Sequence, residues 1–206
     1  MKDYRGLTAE QRRAERRRQL LDAGLRLFGG QGYAATSVRA VLRESGLNER
    51  YFAESFASLD ALLAAVHDEI HAEMFFAAAR SLELDAPPIV QIRHALVEMA
   101  RFLEAEPLKA RVKLVEVVGA GPLSQASRQR GLRAFAGLLA TAFPQPAPDS
   151  PFQPRVLATG LVAAVNELFA AWIDGGLTLG RDELVDHAVV LVKATADRLT
   201  DLNASH

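Results

Sequence analysis

Asn48-Glu49-Arg50-Tyr51 is a run of side chains suited to the edges of DNA bases. A guanidinium forks onto the two acceptors of guanine, a side-chain amide pairs with adenine, and a carboxylate accepts from the amino group of cytosine. The run follows Ser45-Gly46-Leu47, where Gly46 suits a left-handed turn, and precedes Phe52 and Phe56, one helical turn apart. Upstream, Thr36 or Ser37 can cap a short helix presenting Val38, Val41 and Leu42. Residues 37–56 thus have the parts of a helix-turn-helix, whose second helix places its N-terminal residues in the major groove. Phe52 and Phe56 would then face a small core and set the angle of presentation. A helical hairpin used only for packing shows the same pattern and stays open as the alternative.

Two other clusters have chemical potential. Arg12, Arg13, Arg16, Arg17 and Arg18 lie close together. They suit a phosphate backbone, or equally a solvated helix face. Residues 1–60 hold eleven Lys and Arg against eight Asp and Glu, while the rest hold 13 against 17, so a net charge of −1 conceals a basic head. His67-Asp68-Glu69-Ile70-His71 places two histidines one turn apart, as on a zinc-protease helix. That motif has Glu directly after the first His, and here Asp68 stands there. The expectation is two solvent-side histidines, with no catalytic residue, metal site or cofactor. A metal-dependent hydrolase using His67 and His71 is the enzymatic alternative.

The elements that must position these residues are helical throughout. No segment alternates like a strand, and three-and-four spacings recur. The first helix can start at Thr8, in a capping box with Gln11, and stop at Gly29-Gly30-Gln31-Gly32. Asn48 can cap the third helix, and Ser58 a fourth running to about Arg80. Five further helices are expected: a fifth after Pro87-Pro88, a sixth from Pro107 to near Gly119, a seventh to about Phe143, an eighth over 155–174 and a ninth over 182–202. Residues 144–151 are too proline-rich for a helix and read as a stiff connector. The expected division is a head, 1–57, and a body, 58–206. The chain has 206 residues, half hydrophobic, and no Cys, which excludes disulfides and thiolate metal sites. The charged N-terminus lacks the apolar core of a signal peptide, and the apolar stretch 157–173 is short for a membrane span and carries Asn166 and Glu167. A cytoplasmic protein without a membrane partner is expected.

Leu20-Leu21, Ala23-Gly24, Leu27-Phe28, Gly32-Tyr33, Thr36-Ser37-Val38, Ser45-Gly46-Leu47-Asn48, Phe56, Ser58 and Leu62-Leu63 match, in order and spacing, the N-terminal domain of the TetR family of transcriptional regulators. Over its first 65 residues or so the chain therefore resembles that family. Beyond them the likeness is one of helix number and length, with Asn166-Glu167-Leu168 and Trp172 similar to the penultimate helix of many members.

The resemblance implies an all-α homodimer that binds double-stranded operator DNA and releases it when a small molecule enters the body. It implies phosphate contacts from Arg12, Arg13, Arg16 and Arg17, from Thr36 and Ser37, and from Ser55 and Ser58. It implies a cavity among the body helices, where Met74, Phe75, Met99, Phe102, Val115, Phe135, Phe169 and Trp172 would suit an apolar or planar effector. His94, Asn166 and Glu167 are the polar candidates there, although ordinary core packing explains each residue as well. Pairing of the last two helices with their copies would use Val156, Thr159, Gly160, Ala163, Leu184, Ala188, Leu191 and Thr195. Three positions depart from the pattern: Ala53 replaces a phosphate-binding Tyr, Ser55 a common His or Tyr, and Leu59 a Lys. A helical interaction protein that has lost DNA binding is the rival these departures favour. By family analogy repression is expected over activation.

Overall fold

The computed structural model describes residues 8–146 and 152–204, and among them there are helices and connecting turns but no strand. Helix α1 (Ala9–Gln31) opens with the capping box: Thr8 Oγ1 accepts from the Gln11 amide at 3.1 Å, and Gln11 Oε1 accepts from the Thr8 amide at 2.7 Å. It ends at Gly32, whose φ of 91° only glycine adopts readily. Ser37, rather than Thr36, caps α2 (Val38–Ser45), and Asn48 caps α3 (Glu49–Ser55), with Gly46 between them in the left-handed region. Ser58 caps α4 (Leu59–Arg80).

These helices close around one apolar cluster containing Leu20, Phe28, Val41, Phe52, Phe56, Leu62, Leu63, Val66 and Ile70. Five of those residues lie before residue 57 and four after it, and Val112 joins from the body. The core of the head therefore runs past residue 57 and into α4. The reason is geometric: α1 and the two short helices after it cannot cover Phe52 and Phe56 alone, and the first half of α4 supplies the missing wall.

The body comprises α5 (Pro88–Ala105), α6 (Pro107–Arg111), α7 (Pro122–Thr141), α8 (Pro154–Ile173) and α9 (Arg181–Ala204). Its core gathers Met74, Leu96, Leu103, Leu114, Phe169, Leu184 and Val192. The sixth helix is shorter than its sequence suggests. Regular α geometry stops at Arg111, and Val112–Glu116 form a π turn. Of the connector at 144–151, residues 147–151 lie outside the described ones.

Head and body are held together at several places besides Val112. Helix α4 runs through both cores, with Ile70 in one and Met74 in the other. Gly29 lies against Leu108, where a Cβ would come within 2.7 Å of its atoms. Glu116 accepts from the Tyr33 amide at 2.7 Å and pairs with Arg111 at 2.8 Å. Asp60, in the first turn of α4, receives the Leu123 amide at 2.8 Å, the Ser124 amide at 3.0 Å and the Ser124 hydroxyl. This buried carboxylate caps α7 from a different helix, where the unpaired amides and the helix dipole favour an anion.

Burial by itself would raise the Asp60 pKa, but the hydrogen bonds from Ser124 and Leu123 outweigh it and hold the carboxyl below its ordinary 3.8. A depressed carboxylate stabilises the fold above its unfolded pKa, and that stability is lost as pH falls through the folded value. Asp60→Asn should cost about 1.5–3 kcal/mol at neutral pH. The difference from wild type in urea unfolding should shrink as pH drops below the ordinary 3.8. A difference that stays constant with pH would remove the charge from the account.

Candidate nucleic-acid interface and interior cavity

The N-terminal end of α3 is presented to solvent. Asn48, Glu49 and Arg50 are exposed and Tyr51 is half-buried. Phe52, on the opposite side, is 5% exposed in the head core. Asn48 is also the helix cap. Its Oδ1 accepts from the Tyr51 amide at 3.2 Å, so capping occupies an oxygen that adenine pairing would also need. Arg50 extends outward and meets Glu54 at 3.0 Å, an exposed pairing across one turn that DNA could exchange for a base edge at little cost.

Most of the arginine cluster lies against α3. Arg13 and Arg17 donate to the Glu54 and Ser55 carbonyls at 3.2 and 3.0 Å. The guanidinium of Arg16 lies 4.3 Å from the centre of the Tyr51 ring and 3.8 Å from Glu54, and that of Arg17 lies 4.3 Å from the Phe56 ring. Cations at the C-terminal carbonyls of a helix oppose the negative end of its dipole. Arg18 pairs with Asp22 and Glu69, and Arg12 is exposed on the same helix. Arg13, Arg16 and Arg17 hold α3 against α1, a role that charge counting does not reveal.

Of the hydroxyls expected at phosphates, Ser37 and Ser58 are exposed caps at helix N-termini. Each accepts from a backbone amide and keeps its own O–H to donate. Ser55 is half-buried and presents its carbonyl to Arg17. Thr36 departs from expectation. It is buried, donating to the Gly32 carbonyl at 2.8 Å and facing Gln31, so it braces the loop instead of meeting solvent. Ala53 is exposed, and Leu59 packs against the head core.

In the body, a cavity of about 90 Å³ lies between α4, α5, α7 and α8. Of the residues expected at an effector, Met74, Met99, Phe135, Asn166 and Phe169 line this cavity. Phe75, His94, Phe102, Val115 and Trp172 do not. Phe75 packs behind Phe135, their rings 5.3 Å apart. His94 is turned to Ser81 at 3.0 Å. Phe102 lies between the two cores under Lys109, and Val115 rests against the body core. Trp172 lies tilted against Phe169, ring centres 6.4 Å apart, and donates to the Leu179 carbonyl at 2.9 Å. Glu167 pairs with Arg128 on the surface.

Lys113 is the lining residue that sequence patterning misses, because a lysine in a short helix reads as a solvated residue. It is 4% exposed, and it is the single ionisable residue in the cavity wall among the described residues. Its Nζ is 3.0 Å from His67 Nε2 and 3.4 Å from His71 Nδ1. The two histidines are therefore not on a solvent face: His67 is fully buried, and His71 packs edge-on to Phe135. Gly131 makes room, since a Cβ there would lie 2.9 Å from His71 Nδ1. The hydrogen bonds have one consistent direction. Ser127 donates to Asp68 and so accepts from His67 Nδ1, which leaves His67 Nε2 to accept from Lys113. Arg130 completes the chain on Asp68 at 3.0 Å. A metal at this histidine pair would have to occupy the place of the lysine nitrogen, which disposes of the hydrolase alternative.

Of the residues expected to pair with a second copy, two are buried within their own chain. Leu184 and Ala188 are each 1% exposed, because that face of α9 lies on α5 and α8 of its own chain. The outward side of α9 carries Val190 and Leu191, with Thr195 half-buried. On α8, Val156, Thr159, Gly160 and Ala163 are exposed. Starting at Pro154 and spanning 20 residues, α8 is by length and composition apolar enough to cross a membrane, yet most of it lies on the surface of this chain.

Residues 20–66 match the model of the bacterial regulatory proteins of the tetR family. The head is a TetR-family domain. No curated protein matches the chain as a sequence. Solved structures do match its fold. A TetR-like transcriptional regulator from Rhodococcus sp. RHA1 is 22% identical, with TM-score 0.64 over 88% of this chain and 96% of that one. The regulator FadR from Bacillus subtilis, solved with stearoyl-CoA, is 12% identical, with TM-score 0.69 over 87% and 97%. The multidrug binding protein EbrR, solved with imidazole, is 20% identical, with TM-score 0.65 over 85% and 94%. The TetR-type head thus sits on a body whose fold recurs in regulators and in a drug-binding protein.

Under this TetR head the buried lysine is costly. Burial first, then the charge of Arg128, lowers the Lys113 pKa from 10.5 to about 7, with Asp68 opposing. Burial and Lys113 likewise lower His71 to about 4 and hold His67 neutral. Between pH 7 and 10.5 the unfolded chain binds a proton at Lys113 that the folded chain releases, so stability rises with pH across that window. Lys113→Met should remove up to about 1.4 kcal/mol per pH unit of that slope. Parallel pH profiles of wild type and variant in urea unfolding would show that the lysine is charged throughout.

Proposed function

We propose that this protein is a dimeric, ligand-responsive repressor that binds operator DNA in the bacterial cytoplasm and is released by a small apolar or aromatic effector. The carrying observation is the exposed N-terminal end of α3, braced from behind by Arg13 and Arg17 on a TetR-family head. Arg50 and Glu49 would read bases, with Asn48 and Tyr51 dividing their duty between reading and bracing. Ser37, Ser58 and the α1 arginines would meet phosphates, setting register while α3 supplies selectivity.

The effector would enter the cavity between α4 and α7. At about 90 Å³ it is smaller than the cavity of roughly 150 Å³ that admits benzene, so any sizeable occupant must part its walls. Two walls, Met74 and Ala78, belong to α4, whose first half lies in the head core. Parting them shifts the head, and Asp60 and Glu116 carry the same displacement from α7 and the π turn. A coupling of about 1–3 kcal/mol would change operator affinity roughly 5–150-fold, and DNA would weaken effector binding equally.

Dimerisation would use the outward strip of Val156, Gly160 and Ala163 on α8 with Val190 and Leu191 on α9. A largely exposed apolar helix of this length is what a partner would cover. Two-fold pairing places two reading helices on one face of the duplex. Ala163→Glu with Val190→Glu should yield a monomer in light scattering and lower operator affinity at least about tenfold. A variant that stays dimeric moves the interface elsewhere.

DNA from upstream of the protein's own gene should be retarded in a gel, with affinity falling steeply as salt rises. Arg50→Ala should cost about 1–3 kcal/mol on that DNA and less on random sequence. Equal loss on both would assign Arg50 to phosphate. No salt-dependent binding to any duplex would leave the helical interaction protein that Ala53 and Leu59 favour.

A further inference from the structure

The cavity joins nineteen uncharged lining residues to one buried amino group that can take up a proton. Apart from Lys113 and Asn166 its wall is hydrocarbon, aromatic or thioether. Among the described residues no carboxylate comes within ion-pair distance of Lys113 Nζ, whose partners are two histidine nitrogens. Asp68, the nearby acid, is engaged by Ser127 and Arg130. Two acceptors serve a group that carries three N–H bonds as an ammonium, so one donor remains for something else. A buried cation without a counter-charge is expensive, and a protein relieves that cost by neutralising the group or by pairing it. Nothing in the wall does the pairing.

We infer that the cavity takes a small carboxylate-bearing apolar molecule, its anionic head paired with Lys113 and its body against Met74, Leu96, Met99, Phe135 and Phe169. Asn166 is the second polar group available to the head. The inference deepens the effector reading above, naming the chemical class that the site would admit. An uncharged alcohol of the same shape can accept one N–H but offers an ammonium no counter-charge, so the site discriminates by charge as well as by shape.

The pairing is not covalent, and it is linked to a proton. Lys113 is faced by His67, His71 and Asp68 from α4 and by Arg128 from α7, which together with burial place its pKa at about 7. Asn166 from α8 adds no charge. At pH 8 the free protein therefore holds Lys113 mostly as the amine. An entering carboxylate, already ionised, favours the ammonium, and the proton is drawn from solvent. His67 and His71, with lowered pKa values, stay neutral and keep accepting.

Benzoate and hexanoate, with benzyl alcohol and hexan-1-ol as uncharged counterparts, test this on DNA-free protein by calorimetry at pH 8. Wild type should bind each acid at least about tenfold more tightly than its alcohol, a difference of about 1.4 kcal/mol. In two buffers of different ionisation enthalpy, acid binding should take up close to one proton, and alcohol binding none. Lys113→Met should lose the preference for acids and the proton uptake. Lys113→Gln, which keeps a hydrogen-bond donor without the charge, should do the same if the methionine variant folds poorly. Equal affinity for acid and alcohol, absent proton uptake, a preference that survives in both variants, or binding of none of the four probes overturns the inference. The regulator reading is scored separately on operator DNA. Acids that bind as described without weakening DNA binding leave this site standing and remove its regulatory role. DNA released by the alcohols alone leaves regulation standing and removes the carboxylate.

Discussion

Helix α4 is buried in two different cores at once. Its first half supplies Leu62, Leu63, Val66 and Ile70 to the head, and its second half supplies Met74 and Ala78 to the body. A continuous α-helix resists sharp bending because every turn is hydrogen-bonded to the next, and nothing in α4 breaks that ladder. The two cores therefore cannot move independently near it. The other links add to this constraint: Asp60 ties the start of α4 to α7, and Glu116 ties the π turn to the loop before α2. Packed interiors switch between discrete arrangements instead of deforming smoothly. The α4 connection thus ties the packing around the cavity to the core on which Phe52 of α3 rests.

The polar chemistry of the interior follows the same economy. The relay from Lys113 through His67 and Ser127 to Asp68 spans α4, the π turn and α7. Each member is satisfied on the protein side, and the unspent capacity sits at the cavity end. Buried networks of this kind specify one arrangement of their helices when complete, and a shift in any member is felt by all. The π turn lets one short segment serve two sites, with Lys113 at the cavity and Glu116 against the head.

Helix order, caps and the helix-turn-helix were legible in the sequence because they depend on local signals. Thr8 with Gln11, Gly46, Asn48 and Ser58 each act within four residues of themselves. What was not legible depends on where distant segments meet. The histidines of α4 looked solvent-facing beside Asp68 and Glu69, yet α7 approaches closely at Gly131, with His67 fully buried and His71 half-buried. Lys113 carries no local signal of its burial, and only the folded structure places it, within the π turn, in the cavity wall. Leu184 and Ala188 formed the right stripe for a partner, but α5 already covers it. The arginines were recognisable as a cluster, while their grip on the Glu54 and Ser55 carbonyls required knowing that α3 lies across α1.

The close seat of α1 on α6 carries a lesson for anyone building hybrid sensors. Gly29 rests on Leu108 with no space for even a methyl group, and a side chain at Gly32 would crowd Glu116, whose oxygen holds the next amide. A transplanted head bearing alanine at the first position would be wedged away from its new body, however well its own three helices folded. Compatibility between modules in this architecture is therefore a matter of bare backbone at two points, and chimaeras should be chosen by those points before any thought is given to operator or inducer.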